Sequence, residues 1–368
     1  MRVSVLNLLA LCAVLGGLSY GNTPPRSNQS QSTSTSPDIP NLRAKAEAGD
    51  AEAQVAIGRA YRDGQGVEQS AALAAQWFRK SADQGNAAAQ NDLGILYSSG
   101  QGVERDKQEA VRWYLKAAKR GNAKAMFNLG ASYYNGDGVG ADEVQSYAWF
   151  LLAQENGSVE ANDAVSRSAI ENKFYEPAAY TRVGDMYQAG AVPPNMSAAL
   201  KWYRKAADMG DQHSSVQIAV MLLNHGPNTT AEEYAESRRR CERAAKTDFA
   251  GAYCLVVIYR KGLGIEKSPA ESDKWLARAA EMGHRRAALE LGEAYWKGDG
   301  VKQDYVNAYM WVWIAYNSKV PGSEQDELAI SKEMKAKDVQ RAKKRADDWL
   351  RGHPSFGLIR HDASASSN

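Results

Sequence analysis

Among 368 residues there are only three cysteines, five histidines and six phenylalanines. Cys12 sits in an N-terminal apolar stretch, so cleavage of a leader would leave one pair, Cys241 and Cys254, too few for a disulfide-rich scaffold. His213, His225, His284, His353 and His361 show no metal-ligand spacing and no H-E-x-x-H run, so neither a metal site nor any other cofactor is expected. Neither sign of charge dominates. The 45 Lys and Arg nearly cancel 43 Asp and Glu, so no strong field advertises nucleic acid or an anionic membrane. No Ser has a Lys three residues after it and no G-x-S-x-G elbow occurs, which removes two common hydrolase nucleophiles. Beyond the N-terminus no stretch is apolar enough to span a bilayer.

What is present begins with an address. Arg2 precedes an apolar stretch from Val3 to Leu18, and small residues permit cleavage after Ser19 or Gly21. A signal peptide over residues 1–21 is therefore expected, with an uncleaved anchor as the alternative. Cys12 follows Leu11 rather than a small residue, which argues against a lipoprotein anchor. Residues 22–40 form a Ser/Thr/Gln/Asn/Pro tract with almost nothing to bury, read as a disordered linker, and residues 353–368 read likewise. The expected mature chain is exported, periplasmic, monomeric and not inserted in a membrane.

Between these ends the same chemistry returns about every 36 residues. A first helix (helix A) carries an aliphatic–Gly–x–x–Tyr phrase: Ile57, Gly58 and Tyr61; Leu93, Gly94 and Tyr97; Leu129, Gly130 and Tyr133; Val183, Gly184 and Tyr187; Leu291, Gly292 and Tyr295. The aliphatic and the Tyr share a helix face, and the Gly suits a close neighbouring helix. A G-x-G-aliphatic turn follows at Gly64, Gly100, Gly136, Gly262 and Gly298, one residue shorter at Gly190. These turns lack the third Gly and preceding strand of a dinucleotide loop, and their recurrence marks them as structural. Ser70, Asp106, Asp142, Asn195, Ser268 and Asp304 then stand at one phase as helix caps, with Glu109 and Glu271 expected to complete capping boxes. A second helix (helix B) carries Trp77, Trp113, Trp149, Trp202, Trp275 or Trp311, each flanked one turn away by small residues that admit the indole to a core.

Two breaks interrupt the rhythm. Gly130 and Gly184 are 54 residues apart, so residues 158–176 are expected to hold one extra helix. Around residues 212–246, Val220 replaces the Gly, Leu223 the Tyr and Arg240 the Trp, with Pro227 in the turn. That unit should pack most weakly. Cys241 and Cys254 flank it, about equally far from the turn near Asp248, and would face each other in an antiparallel hairpin. In an oxidising compartment such a pair is a disulfide candidate; the alternative is two small buried hydrophobes.

The recurring phrases resemble those of the Sel1-like repeat family, a relative of tetratricopeptide repeats, over about residues 41–317. The resemblance implies an all-α fold, an α-solenoid (superhelix) of helix–turn–helix repeats, with a surface used for protein binding. The expected layout is an N-terminal cap with repeats 1–3 over residues 41–157, the extra helix, repeats 4–7 over 177–317, and a C-terminal capping helix over 318–352.

No catalytic residue is assigned. Residues that recur build the scaffold, so a partner's information should lie where units differ. Three helix A phases, starting at Val55, Arg59 and Arg62, are expected to point away from the Ile57/Tyr61 face. Along them Arg59, Arg62, Phe127, Tyr134, Tyr253, Arg260 and Trp296 have the Arg/aromatic character of protein-binding anchors; contact to the neighbouring unit is the competing explanation. The Lys/Arg runs at 238–240 and 332–344 read as solvated helix faces. By resemblance, exported members include envelope assembly adaptors, regulators of sensor kinases, host-interaction factors and immunity proteins that block a secreted toxin. The expected function is a non-catalytic binder of a secreted effector, envelope or regulatory protein, an inhibitor or immunity protein first and an adaptor second, with nucleic acid excluded. The alternative is a β-lactamase-like hydrolase, as in cysteine-rich secreted relatives, whose repeated cysteine pairs this chain lacks.

Overall fold

The computed structural model describes residues 38–171, 175–224 and 229–353. The leader, almost all of the 22–40 tract, the tail beyond His353, Cys12 and Pro227 lie outside the described residues. Among the described residues there are eighteen α-helices and no strand. Ahead of the repeats stands α1 (Ile39–Glu47). Seven A/B pairs follow: α2 (Ala51–Asp63) with α3 (Ala71–Asp83), α4 (Ala87–Ser99) with α5 (Lys107–Ala118), and α6 (Ala123–Asn135) with α7 (Glu143–Glu155). After the single helix α8 (Glu160–Glu171) come α9 (Glu176–Gln188) with α10 (Met196–Asp208), and α11 (Gln212–Leu223) with α12 (Ala231–Ala244). The last pairs are α13 (Phe249–Lys261) with α14 (Pro269–Glu281), and α15 (Arg285–Lys297) with α16 (Tyr305–Asn317), before α17 (Ser323–Lys332) and α18 (Ala336–Gly352).

Local chemistry sets these boundaries. Ser70, Asp106, Asp142, Asn195, Ser268 and Asp304 each accept a backbone N–H from the first turn of a helix B. Asp50, Asn86, Asn122, Asp211 and Asp248 do the same for helix A. In five of the seven pairs helix A ends on a left-handed Gly, as at Gly100 with φ 77°, a conformation costly for any residue with a Cβ. The expected capping boxes at Glu109 and Glu271 do not close. Glu109 turns instead to Arg112 at 3.0 Å and Glu271 to Lys274 at 3.5 Å, because a cation one turn on competes for the carboxylate. Thr230 and Glu233 form the box found among the described residues.

In the five pairs that carry the helix A glycine, helix B lies directly against it. The residue after each Trp lies against it: Phe78 on Gly58, Tyr114 on Gly94, Phe150 on Gly130, Tyr203 on Gly184. One turn before the Trp, Ser146 and Ser272 donate to the helix A carbonyls of Gly130 (2.8 Å) and Val256 (3.3 Å). Trp113, Trp149, Trp202 and Trp311 are buried, whereas Trp77 is half-buried and carries the Lys80 ammonium 4.2 Å from its ring centre.

Neighbouring units join through different contacts. The second turn glycine abuts the start of the preceding helix B, Gly102 on Ala71 and Gly138 on Lys107. Gln54 and Gln90 donate back to the preceding unit's Ala46 and Ala82 carbonyls at 3.0 and 3.1 Å.

Helix α8 occupies the long spacing between Gly130 and Gly184, burying Ala161 and half-burying Val165 in the middle core. In α12 the Arg240 guanidinium reaches along its own helix to Glu236 at 2.8 Å rather than filling the place of the Trp. Residues 318–352 hold two helices where one was expected. The break falls at 333–335, where Glu333 accepts the Trp296 indole N–H at 3.3 Å and Met334 packs on the C-terminal core, turning the chain.

Candidate functional site

The A helices stand beside one another, and their side chains meet at joints between units. The first joint centres on Asp92 of α4, whose side chain is 7% exposed. It accepts from Arg59 at 2.8 Å and lies 4.0 Å from Arg62. Arg62 donates mainly to Asp63, whose carboxyl this hydrogen bond holds below the usual range. Arg59 keeps 46% of its side chain in solvent, and the exposed Ile95 stands one turn on from Asp92. In the next unit Asn128 donates to Asn91 at 3.0 Å.

The second joint centres on Glu290 of α15. Tyr253 donates to it at 2.7 Å, Arg260 at 2.9 Å and Arg286 at 3.2 Å. Burial works to raise the Glu290 pKa, but these hydrogen bonds prevail and hold it low. Burial first, then Glu290, pushes the Tyr253 phenol up to about 12. His284 stacks on Tyr253 with ring centres 4.1 Å apart, and its Nδ1 accepts the Ala287 N–H at 3.0 Å as the cap of α15. Burial holds this imidazole down at about 4, so it is neutral.

Beside Glu290 an open cavity of about 410 Å³ is lined by Arg260, Asp273, Arg286, Glu293, Lys297 and Asp299, among others. Burial and Asp299 raise the Asp273 pKa. Both cations and carboxylates line this groove.

The structure thus brings Tyr253 and Arg260 together on one carboxylate, and Arg59 and Arg62 around another. Phe127 is half-buried, its ring 5.4 Å from Phe150 and packed on the middle core. Tyr134 is half-buried on the last turn of α6, and Trp296 is held by Glu333. The Val55 phase does not point outward. Val55, Asn91 and Leu289 are 2%, 3% and 1% exposed, because adjacent A helices close over that phase.

Asp92 and Glu290 were missed by sequence reasoning, whereas His284 stands at a helix-start phase and is the cap that phase implies. The signal lay one phase over: the residues just before the recurring aliphatic are Ala56, Asp92, Asn128, Arg182, Ile218, Cys254 and Glu290. That phase looks back at the preceding unit. Cys254 uses it to form a buried disulfide with Cys241, Cα atoms 5.9 Å apart, tying α13 to α12. Among the described residues no cluster of three or more potential metal ligands occurs, and no helix is long and apolar enough to cross a membrane.

Comparison with known proteins follows the same periodicity. The family model described as Sel1 repeat matches residues 51–86, 87–122, 123–158, 177–211, 251–284 and 285–312, together more than half of the chain. It passes over α8 and over the unit holding Arg240. Chitin synthase regulator SKT5 of Saccharomyces cerevisiae is 29% identical over 174 residues, 46% of this chain and 24% of that protein. The chain therefore spans about a quarter of that relative's length. Of solved structures, c5321, a protective antigen of uropathogenic Escherichia coli strains displaying an SLR fold, is 27% identical with a TM-score of 0.46, covering 90% of this chain and 75% of the other. A Sel1 repeat protein from Oxalobacter formigenes is 26% identical with a TM-score of 0.36, covering 86% of this chain and 98% of the other. Six in-phase matches on a stack of A/B helix pairs place this chain in the Sel1 repeat family, an all-α solenoid of the protein-interaction kind.

Proposed function

We propose that the chain is a non-catalytic binding protein, exported by its N-terminal segment to the periplasm, that holds one partner protein along the helix A side of its array as a monomer. The partner is a secreted effector, which the chain neutralises as an inhibitor or immunity protein, or else an envelope or regulatory protein that it positions as an adaptor. The observation that carries this reading is the pair of joints at Asp92 and Glu290. Arg59 and Arg260 are nearly half exposed yet held in place by largely buried carboxylates. A partner meeting such groups loses little further side-chain freedom, so modest contacts spread over several units add up.

The test is capture of a cross-linked partner from envelope extract. Wild type should retain one stoichiometric species, and R59E/R62E/R260E should lose it. Equal capture by the triple variant overturns the reading. Phe127→Ala is not used, because it opens the core. Fractionation tests the compartment, with a mature N-terminus at residue 20 or 22 expected; a chain retained in the cytoplasm would refute export.

A further inference from the structure

The last helix carries a charge pattern that neither the scaffold nor the helix A side uses. Residues 332–351 hold eight cations against four carboxylates, an excess of four, whereas the whole chain has a net charge of +2. At 100° per residue, Lys337, Arg341, Lys344 and Arg345 of α18 fall within one exposed stripe. The opposite side is consumed by the fold. Ala342 and Ala346 are fully buried, and Val339, Trp349 and Leu350 pack on the C-terminal core, with the Trp349 ring 5.4 Å from Trp311. Among the described residues Arg341 pairs with Asp338 at 3.2 Å while 63% exposed, and Lys337, Lys344 and Arg345 enter no ion pair.

We propose that this stripe is a docking surface for a short acidic polypeptide segment, separate from the helix A side. The four cations lie within nine residues of helix, eight rises or about 12 Å from first to last. Four extended residues cover about 13 Å, so a run of four or five Asp or Glu matches it end to end. An anionic membrane fits less well, since the apolar side that would enter the lipid is already packed on α16. A duplex fits less well too, because Asp338, Asp347 and Asp348 interrupt the line that continuous phosphates would follow.

The test is fluorescence anisotropy of a labelled ten-residue Glu/Asp peptide titrated with the full chain. Binding should weaken with added salt, and K337E/R341E/K344E/R345E should weaken it by about tenfold or more. K119E/K124E, an exposed pair on the α5–α6 turn and at the start of α6, should leave it unchanged. Equal affinity of the quadruple variant, or tighter binding to a 20-base-pair duplex or to phosphatidylserine vesicles at the same salt, overturns the proposal. Should the quadruple variant fail to fold by circular dichroism, K344A/R345A serves, with a severalfold loss expected and no loss refuting. Partner capture through Arg59, Arg62 and Arg260 fails or succeeds independently of this result.

Discussion

Trp202 donates its indole N–H to the Glu155 carboxylate at 2.8 Å, across the point where α8 interrupts the array. The same carboxylate accepts from Tyr187 at 2.9 Å and Lys201 at 2.8 Å, so three side chains of the fourth unit close on the last turn of the third. Burial opposes ionisation of Glu155, but these donors keep its pKa low. Glu155→Ala should cost about 2–4 kcal/mol, since it leaves an indole and a phenol short of an acceptor. Thermal denaturation checks this; a loss below 1 kcal/mol would show that α7 and α9 hold together by apolar packing alone.

Glycine 94 makes a second prediction. A Cβ there would stand 2.5 Å from the Tyr114 ring and 3.2 Å from the Ala110 carbonyl. Gly94→Ala should destabilise by about 1–3 kcal/mol although alanine favours helix, because overpacking outweighs propensity. Shortening Tyr114 to Leu in the same chain should recover part of the loss. Simple additivity of the two changes in a denaturation cycle would place the strain elsewhere.

Acid should act through His284. Its folded-state pKa of about 4 lies below the ordinary 6.5, so the folded chain resists a proton that the unfolded chain accepts. This contribution is fully present above pH 6.5 and is lost as pH falls from 6.5 towards 4, by up to about 3 kcal/mol. His284→Asn keeps a capping acceptor, as Asn86 and Asn122 do, and should flatten that part of the curve. Urea midpoints between pH 7 and 4 decide it. An unchanged slope in the variant would assign acid sensitivity to another group.

Reduction should act on the unit least like the others. Cys241 and Cys254 are separated by 13 residues, and closing that loop contributes roughly 3 kcal/mol by chain entropy. A reductant should therefore lower the melting temperature, and C241A/C254A should melt at the same reduced value with or without it. Two titratable thiols in the unreduced protein would refute the bond.

Much of the scaffold was legible because its signals are local. The caps at Ser70 and Asp304, and the left-handed turn at Gly100, depend on residues within a few positions of each other. Side-chain destinations across units were less legible. Arg112, which claims Glu109, stands only one turn along the same helix, but nothing near Arg59 announces Asp92, 33 residues on. The outward phases were judged from one helix with its own partner, whereas Val55 and Leu289 are covered by a second neighbour. Two-neighbour burial is a property of the stack, so single-helix geometry overstated the exposed surface.

The phase just before the recurring aliphatic has a consequence for the order of the units. It carries a carboxylate at Asp92, an amide at Asn128, a disulfide sulfur at Cys254 and a carboxylate at Glu290, and the groups they meet are equally particular. Units alike enough for one family model are therefore not interchangeable parts. Excising residues 87–122, one whole matched unit, would keep the periodicity yet set Arg59 opposite Asn128 instead of Asp92. Each seam works as a lock cut for a single key, and the sequence of seams writes a serial order into an otherwise repetitive chain.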